Sequence, residues 1–313
     1  MKQTSSNRAT LPQPEAKLQL DSAVLRARFD LQPFGFEHNL SKLDLFSHES
    51  LQRVACTMSR APRDYFIAGS AAAPGTSFYS VPNGGLTPSK ALQNLDGYHC
   101  RILLKRPENH DRRFRDLLQT LFQQVLDTLG GLRGQRIARL ESGIFISSGC
   151  TVTPVHFDPE MAFFSQILGT KAYHIYPPGS VGEPDLERFY IRGRNDIGNV
   201  DLKTLDPAGA RTFDLKPGMG LHQPQNAPHW IETGESVSVS YTFLFQTDAS
   251  RAVDRARALN YCMRRVGVRP SPPGAHPGRD AAKAGVMRLA KPVQSAGKVW
   301  NKLKRVVGAS RLA

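Results

Sequence analysis

The sequence predicts a mainly β protein with flanking helices, on three observations. From about Ile144 to Phe245, strand-like runs alternate with Pro and Gly turns, the texture of a sandwich or barrel of short strands. The clearest helical period lies before that region: Phe114, Leu117, Leu118, Leu121, Phe122, Val125, Leu126 and Leu129 recur at helical spacing, and Gly130-Gly131 ends the run. A second helical stretch, "SRAVDRARALNYCMRRVGVRP", follows the strands and ends near Gly267.

With 313 residues, the chain can bury a substantial core, and one main domain with appended helices is expected. Residues 1–35 read as a polar lead-in, 36–247 as a helical part plus the β core, 248–268 as a C-terminal helix, and 269–313 as a linker and basic tail. Ser47 is placed to N-cap a helix that aligns Leu51, Val54, Ala55 and Met58 on one face. Residues 70–95, rich in Ala, Gly, Pro and Ser, read as loop, and a short strand is expected at "YHCRILLK".

Within the β region, "MAFFSQILGTKAYHIYPP" has the form of a hairpin, with Gly169-Thr170 as a two-residue type II′ turn. Pairing Leu168 with Lys171 puts Phe164, Gln166, Leu168, Lys171, Tyr173 and Ile175 on one face, with Ser165, Ala172, His174 and Tyr176 on the other. The run "SVSVSYTFLFQ" alternates strictly. Val237, Val239, Tyr241, Phe243 and Phe245 make an apolar face; Ser236, Ser238, Ser240 and Thr242 make a face of small hydroxyls that suits the wall of a polar pocket.

The net charge of +14 is uneven. Residues 251–313 hold fifteen Lys and Arg against Asp254 and Asp280, so the preceding 250 residues are nearly neutral. Basicity belongs to the tail, and its partner need not be the substrate of the main domain. There, Val299, Trp300, Leu303, Val306 and Val307 form a helical stripe among Lys298, Lys302, Lys304 and Arg305. That pattern suits an anionic membrane surface, nucleic acid, an acidic protein partner or docking on the chain's own domain. The first twenty residues have no apolar core of a signal peptide, and no run of about 18 apolar residues occurs to span a membrane. Cys56, Cys100, Cys150 and Cys262 are scattered without a CxxC pair, which argues against a disulfide framework or structural zinc. A cytoplasmic protein is expected, peripheral to a membrane if the tail binds one.

Chemistry concentrates in "TVTPVHFDPE". Residues i and i+2 of a strand point to one side, so His156 and Asp158 can converge on one ion. Two histidines and a carboxylate on one face of a metal leave open positions and suit non-haem ferrous oxygenases. The third ligand has two candidates, His229 in "PQNAPHWIETGES" and His222 in "GMGLHQP". His174 faces away from Lys171 and reads as structural. Lys171, on an otherwise apolar face, either snorkels to solvent at the turn or is buried against an anion.

Taken together, "TPVHFDPEMAFFSQILGTKAYHIYPP" and "PHWIETGESVSVSYTF" resemble the Jumonji C and cupin-like ferrous, 2-oxoglutarate-dependent hydroxylases, over about Gly143 to Thr247. The resemblance implies a double-stranded β-helix (jelly-roll, cupin) core and His156, Asp158 and His229 as iron ligands. It also implies Thr153 and Lys171, fifteen residues after His156, as the hydroxyl and cation that bind the distal carboxylate of 2-oxoglutarate. Where the family has asparagines near the co-substrate, this chain has Ala162 and Thr242; Thr242 is taken as a co-substrate contact, and Tyr98 as the counterpart of a tyrosine on an earlier strand. The implied reaction hydroxylates a protein side chain or a small molecule while 2-oxoglutarate is decarboxylated to succinate. The alternative is a cupin-type metal-binding module or isomerase, since fold does not fix function. Helices after the barrel build a dimer interface in such hydroxylases, so residues 248–268 are expected to do so here.

Overall fold

The strictly alternating run "SVSVSYTFLFQ" becomes the central strand of a two-sheet core. This is seen in a computed structural model that describes residues 14–69, 73–76, 85–192 and 198–289. The N-terminal half supplies β1 (Leu18–Gln19), α1 (Ser22–Arg28), β2 (Phe34–His38), α2 (His48–Met58), β3 (Tyr65–Gly69), α3 (Pro88–Gln93), α4 (Leu95–Tyr98), β4 (Cys100–Lys105) and α5 (Arg112–Leu129). The β core follows with β5 (Ile137–Ser147), β6 (Val152–Phe157), β7 (Met161–Leu168) and β8 (Lys171–Ile175). After α6 (Glu183–Ile191) come β9 (Gly198–Asn199), β10 (Arg211–Leu215), β11 (Met219–Gln223), β12 (His229–Thr233), β13 (Ser238–Thr247) and α7 (Asp248–Arg265). Residues 277–289 are also helical. Among the described residues, no helix is long and apolar enough to cross a membrane.

The described strands form an eight-stranded sheet, β1-β2-β11-β7-β13-β5-β4-β3, and a five-stranded sheet, β10-β8-β12-β6-β9, with all pairs antiparallel. Strands β5 to β8 alternate between the sheets, and so do β10 to β13, with β8 and β10 paired in the smaller one; this is the expected double-stranded β-helix. The chain changes sheet at 148–151, 169–170 and 234–237, three turns tied to one another at one end of the sandwich. Cys150 N donates to Gly234 O (2.8 Å), and Gly234 N to Thr170 O (2.9 Å). A Cβ on Gly149 would overlap the Glu235 carbonyl, so the close approach of these turns requires glycine there.

The outer face of the larger sheet carries the main core. Val239, Tyr241, Phe243 and Phe245 of β13 pack with Ile102, Leu104, Ile144, Ile146 and Phe163 against Leu25 of α1, the Leu51–Met58 face of α2, and Phe114, Leu117, Leu121 and Val125 of α5. Burying each such side chain is worth about 1.5–3 kcal/mol. Ser47 caps α2 as expected, accepting from Ser50 N, and Gly130, in the left-handed region at φ 78°, ends α5.

Three expectations change. The segment read as a polar lead-in contributes β1, α1 and the start of β2, with Leu25 fully buried. The segment read as loop includes α3, and α4 begins at its last residue. And β7 and β8 do not form a hairpin: β7 pairs with β11 and β13 while β8 pairs with β10 and β12. Gly169-Thr170 is instead a crossing between sheets. The assigned faces survive, because Phe164 and Tyr173 meet across the interior with ring centroids 5.3 Å apart. The amphipathic stripe from Val299 to Val307 lies outside the described residues.

Candidate metal centre and adjoining pocket

His156 on β6 and His229 on β12 are directly opposed in the smaller sheet, so both project to the same face. Ile231 and Tyr173, on the same strand face as His229, belong to the cluster between the sheets, which makes that face the interior one. The ring centroids of the two histidines are 4.2 Å apart. Asp158, just after β6, closes the triangle, with Oδ1 3.9 Å from His156 Nε2 and Oδ2 3.7 Å from His229 Nε2. One ligand atom from each residue lies within 4.8 Å of the others, so the donor set fits a single divalent ion.

Neighbouring groups fix the orientation of the three. His156 Nδ1 donates to Pro154 O (2.8 Å) and His229 Nδ1 to Ala227 O (3.0 Å), which leaves each Nε2 as the ligating nitrogen. Burial pushes the His229 imidazole down to about 4, with the second histidine acting in the same direction, and burial also lowers His156. Burial opposes ionisation of Asp158, but the two histidines and a hydrogen bond from Gln223 hold its carboxyl below the usual range. Two neutral imidazoles and one carboxylate are thus presented together. Tyr173 stacks on the His229 ring at 18° and donates its hydroxyl to Gln223 Oε1; Gln223 Nε2 then donates to Asp158 Oδ2 (2.9 Å).

His222, the other candidate, is not in the site. On β11, Leu221 and Gln223 face the interior, so His222 points to the outer face, with ring contacts to Phe29, Phe34 and Phe163 at 4.7–5.4 Å. Its Nε2 accepts from Asp30 N and its Nδ1 bonds Ala162 O, each at 3.1 Å; burial lowers it to about 3. His174 also faces away, stacked on Trp230.

Below the triad, toward the linked turns, the pocket becomes cationic. Lys171 is 5% exposed, and its Nζ lies 5.5 Å from the Phe164 centroid and 5.8 Å from that of Phe145. Among the described residues, no carboxylate lies within ion-pair distance of it. Burial first, and then the Arg101 guanidinium, push Lys171 down to about 7. Thr153 is opposed to Ile231, and a bulge separates that pair from His156–His229. The bulge lets Thr153 and His156, an odd number of residues apart, face the interior together. Thr242, opposed to Phe164, lies on the opposite wall, where its hydroxyl donates to Phe163 O (3.3 Å). Beside it, Ser238 and Ser240 hold the buried side chain of Gln166, each at 2.8 Å. Tyr98 is 44% exposed, whereas Arg101, three residues on, is buried and acts electrostatically on Lys171 and His156.

A polar network ties α7 to both turns of the metal end. Asp254 accepts from Gln225 (3.1 Å) and Gln246 (3.3 Å). Gln246 also donates to Pro159 O (2.8 Å), and Asn226 N donates to Asp158 O (2.9 Å).

No family model matches the chain. An HSPB1-associated protein 1 homolog from Danio rerio is 29% identical over 150 residues, covering 44% of this chain and 32% of that protein; the chain thus spans about a third of its relative. Among solved structures, YcfD from Escherichia coli aligns over 88% of this chain and 68% of its own, with 16% identity and a TM-score of 0.47. A structure described as the ribosomal oxygenase YcfD with cobalt and 2-oxoglutarate aligns over 88% and 67%, with 18% identity and a TM-score of 0.47.

Proposed function

We propose that this chain is an Fe(II)- and 2-oxoglutarate-dependent oxygenase that hydroxylates a protein side chain or a small molecule. The observation that carries this reading is the pairing, inside one pocket, of a two-histidine, one-carboxylate triad with Lys171, a buried cation that has no carboxylate partner among the described residues. A facial triad leaves positions open for co-substrate and oxygen. A buried lysine is costly without an anion, and a simple metal-binding module needs no anchor for one there. When bound, iron and 2-oxoglutarate supply the oxidation: one oxygen atom goes to a substrate C–H bond and the other to succinate, with loss of carbon dioxide.

The protein's own residues hold and orient. His156, Asp158 and His229 would carry the iron. The Nδ1 hydrogen bonds keep both imidazoles in the ligating tautomer, and Gln223, itself held by Tyr173, fixes the carboxylate. Lys171 would receive the distal carboxylate through a charge-assisted bond, with Thr153, two strands away in the same sheet, offering a hydroxyl. Phe164, Leu221, Ile175 and Ile231 surround the pocket with apolar surface that keeps water out. We further propose a cytoplasmic location, with residues 248–268 as a dimer contact and the basic tail bound to an anionic membrane, nucleic acid or acidic partner.

The test is spectroscopic. Under anaerobic conditions, protein with ferrous iron should develop a visible charge-transfer band only on addition of 2-oxoglutarate. Lys171→Ala should still bind iron but need more than about tenfold higher 2-oxoglutarate for the same band. Absence of the band in the wild type, or an unchanged titration in the variant, would rule the assignment out.

A further inference from the structure

The 277–289 helix carries two stripes of the same period on opposite sides. Asp280, Lys283, Ala284 and Met287, at i, i+3, i+4 and i+7, are buried, and Met287 packs with Leu186, Tyr190 and Ala258 of α6 and α7. Offset by two residues, about 200° round the helix, Ala282, Gly285, Val286 and Leu289 repeat that spacing on the exposed side. Val286 is 52% and Leu289 79% exposed, and a Cβ added to Gly285 would meet nothing within 4 Å. A surface helix normally sets one apolar stripe against the core and is polar opposite it. This one keeps an apolar ridge in the open.

The charges around the ridge have one sign. Arg279 and Arg288 flank it and are exposed, as are Arg265 and Arg269, which stand beside exposed Val266 and Val268. Residues 251–289 contain two acids, both engaged inside: Asp254 accepts from Gln225 and Gln246, and Asp280 from Gly274 N (2.8 Å) beside Lys283. On neighbouring α6, Glu183 and Glu187 are tied to Arg257 and Arg264. Where the helix ends beside α7, burial first and then Arg251 and Arg288 hold the Arg255 guanidinium below its usual range, so three like charges gather there. The chain continues from Leu289 with six more Lys and Arg and no acid.

We propose that this ridge seats on an anionic lipid bilayer, with Val286 and Leu289 entering the headgroup boundary and Arg279 and Arg288 reaching phosphates on either side. The inference deepens the reading of the basic segment given above, by selecting one partner, and is independent of the iron site. A convex apolar ridge rimmed by cations matches a surface that yields to side chains and carries negative charge. Single-stranded nucleic acid is gripped by cations with stacking aromatics, and residues 251–289 offer no exposed Phe, Trp or Tyr. A second copy brought ridge to ridge would set like charges against each other.

The test floats the full-length protein with vesicles of phosphatidylcholine, alone or mixed three to one with phosphatidylglycerol. The wild type should bind the anionic vesicles and not the neutral ones. Val286→Asp with Leu289→Asp should lower the partition coefficient at least about tenfold, and Arg279→Gln and Arg288→Gln about fivefold for each charge removed. All four side chains are exposed, so unfolding midpoints should stay at the wild-type value. Equal binding to neutral vesicles, or none to either, overturns the proposal. So do variants that float like the wild type, a result that would move the contact to residues 290–313. Capture of duplex DNA without flotation makes the partner a nucleic acid, and a doubled mass that the aspartate pair abolishes, again without flotation, makes it a second copy; either overturns the bilayer. The charge-transfer band with ferrous iron and 2-oxoglutarate should be the same in every variant. Its absence from the wild type would end the oxygenase reading and leave the ridge standing.

Discussion

The two faces of the larger sheet are built from the same strands yet differ in chemistry. Outward, β13 presents Val239, Tyr241, Phe243 and Phe245 to a layer of helices; inward, it presents Ser238, Ser240 and Thr242 to a pocket that also holds Arg101 and Lys171. One face gains stability by removing apolar area from water, while the other surrenders some of it by burying polar and charged groups. The division of labour follows residue parity along a single strand. It implies that changes on the outer face should alter stability, and changes on the inner face should alter ligand binding.

The largest expected effect is on the outer side. Phe243→Ala, at a fully buried position, should cost about 3–5 kcal/mol in denaturant unfolding. Next comes the interior: His229→Ala should weaken Mn(II) or Co(II) binding by at least about a hundredfold in calorimetry while leaving the unfolding midpoint of the metal-free protein near wild type. A large loss of stability in that variant would break the division. His222→Gln sharpens it, because this histidine lies only seven residues from His229 but on the outer side. It should lose about 1–3 kcal/mol of stability as the backbone N–H of Asp30 loses its acceptor, with metal affinity unchanged. The smallest effect is on pH. Lys171, lowered to about 7, is charged below that pH and neutral above it. Affinity for 2-oxoglutarate should therefore be level in mild acid and fall roughly fivefold between pH 7 and 8. Flat affinity across that interval would remove Lys171 from the binding step.

Parity was also what the sequence made legible. Strict alternation in "SVSVSYTFLFQ" and the i, i+2 spacing of His156 and Asp158 gave the correct faces without knowledge of partners. Partners were another matter. A two-residue Gly-Thr turn looks the same whether it closes a hairpin or carries the chain to a second sheet, and only the pairing of β7 and β8 with other strands distinguishes the two. His222 and His229 could not be separated on residue type, because the choice depends on which face of two non-adjacent strands looks inward. Gln223 was invisible for the same reason: its role depends on Tyr173 and Asp158, 50 and 65 residues away. Arg101 leaves a signal in the sequence, a charge at an inward position of an otherwise apolar strand, whereas Tyr98, the expected aromatic counterpart, is 44% exposed.

The three linked crossings at 148–151, 169–170 and 234–237 fasten the two sheets at one end of the sandwich. The triad sits at the other end, where the turns 158–160, from β6 to β7, and 224–228, from β11 to β12, join the same two sheets. The Asp254–Gln225–Gln246 network works there as a strut, since it braces the turn after β6 and the turn before β12 against one helix. The rigidity of the metal site is thus borrowed from α7, a helix that supplies none of its ligands.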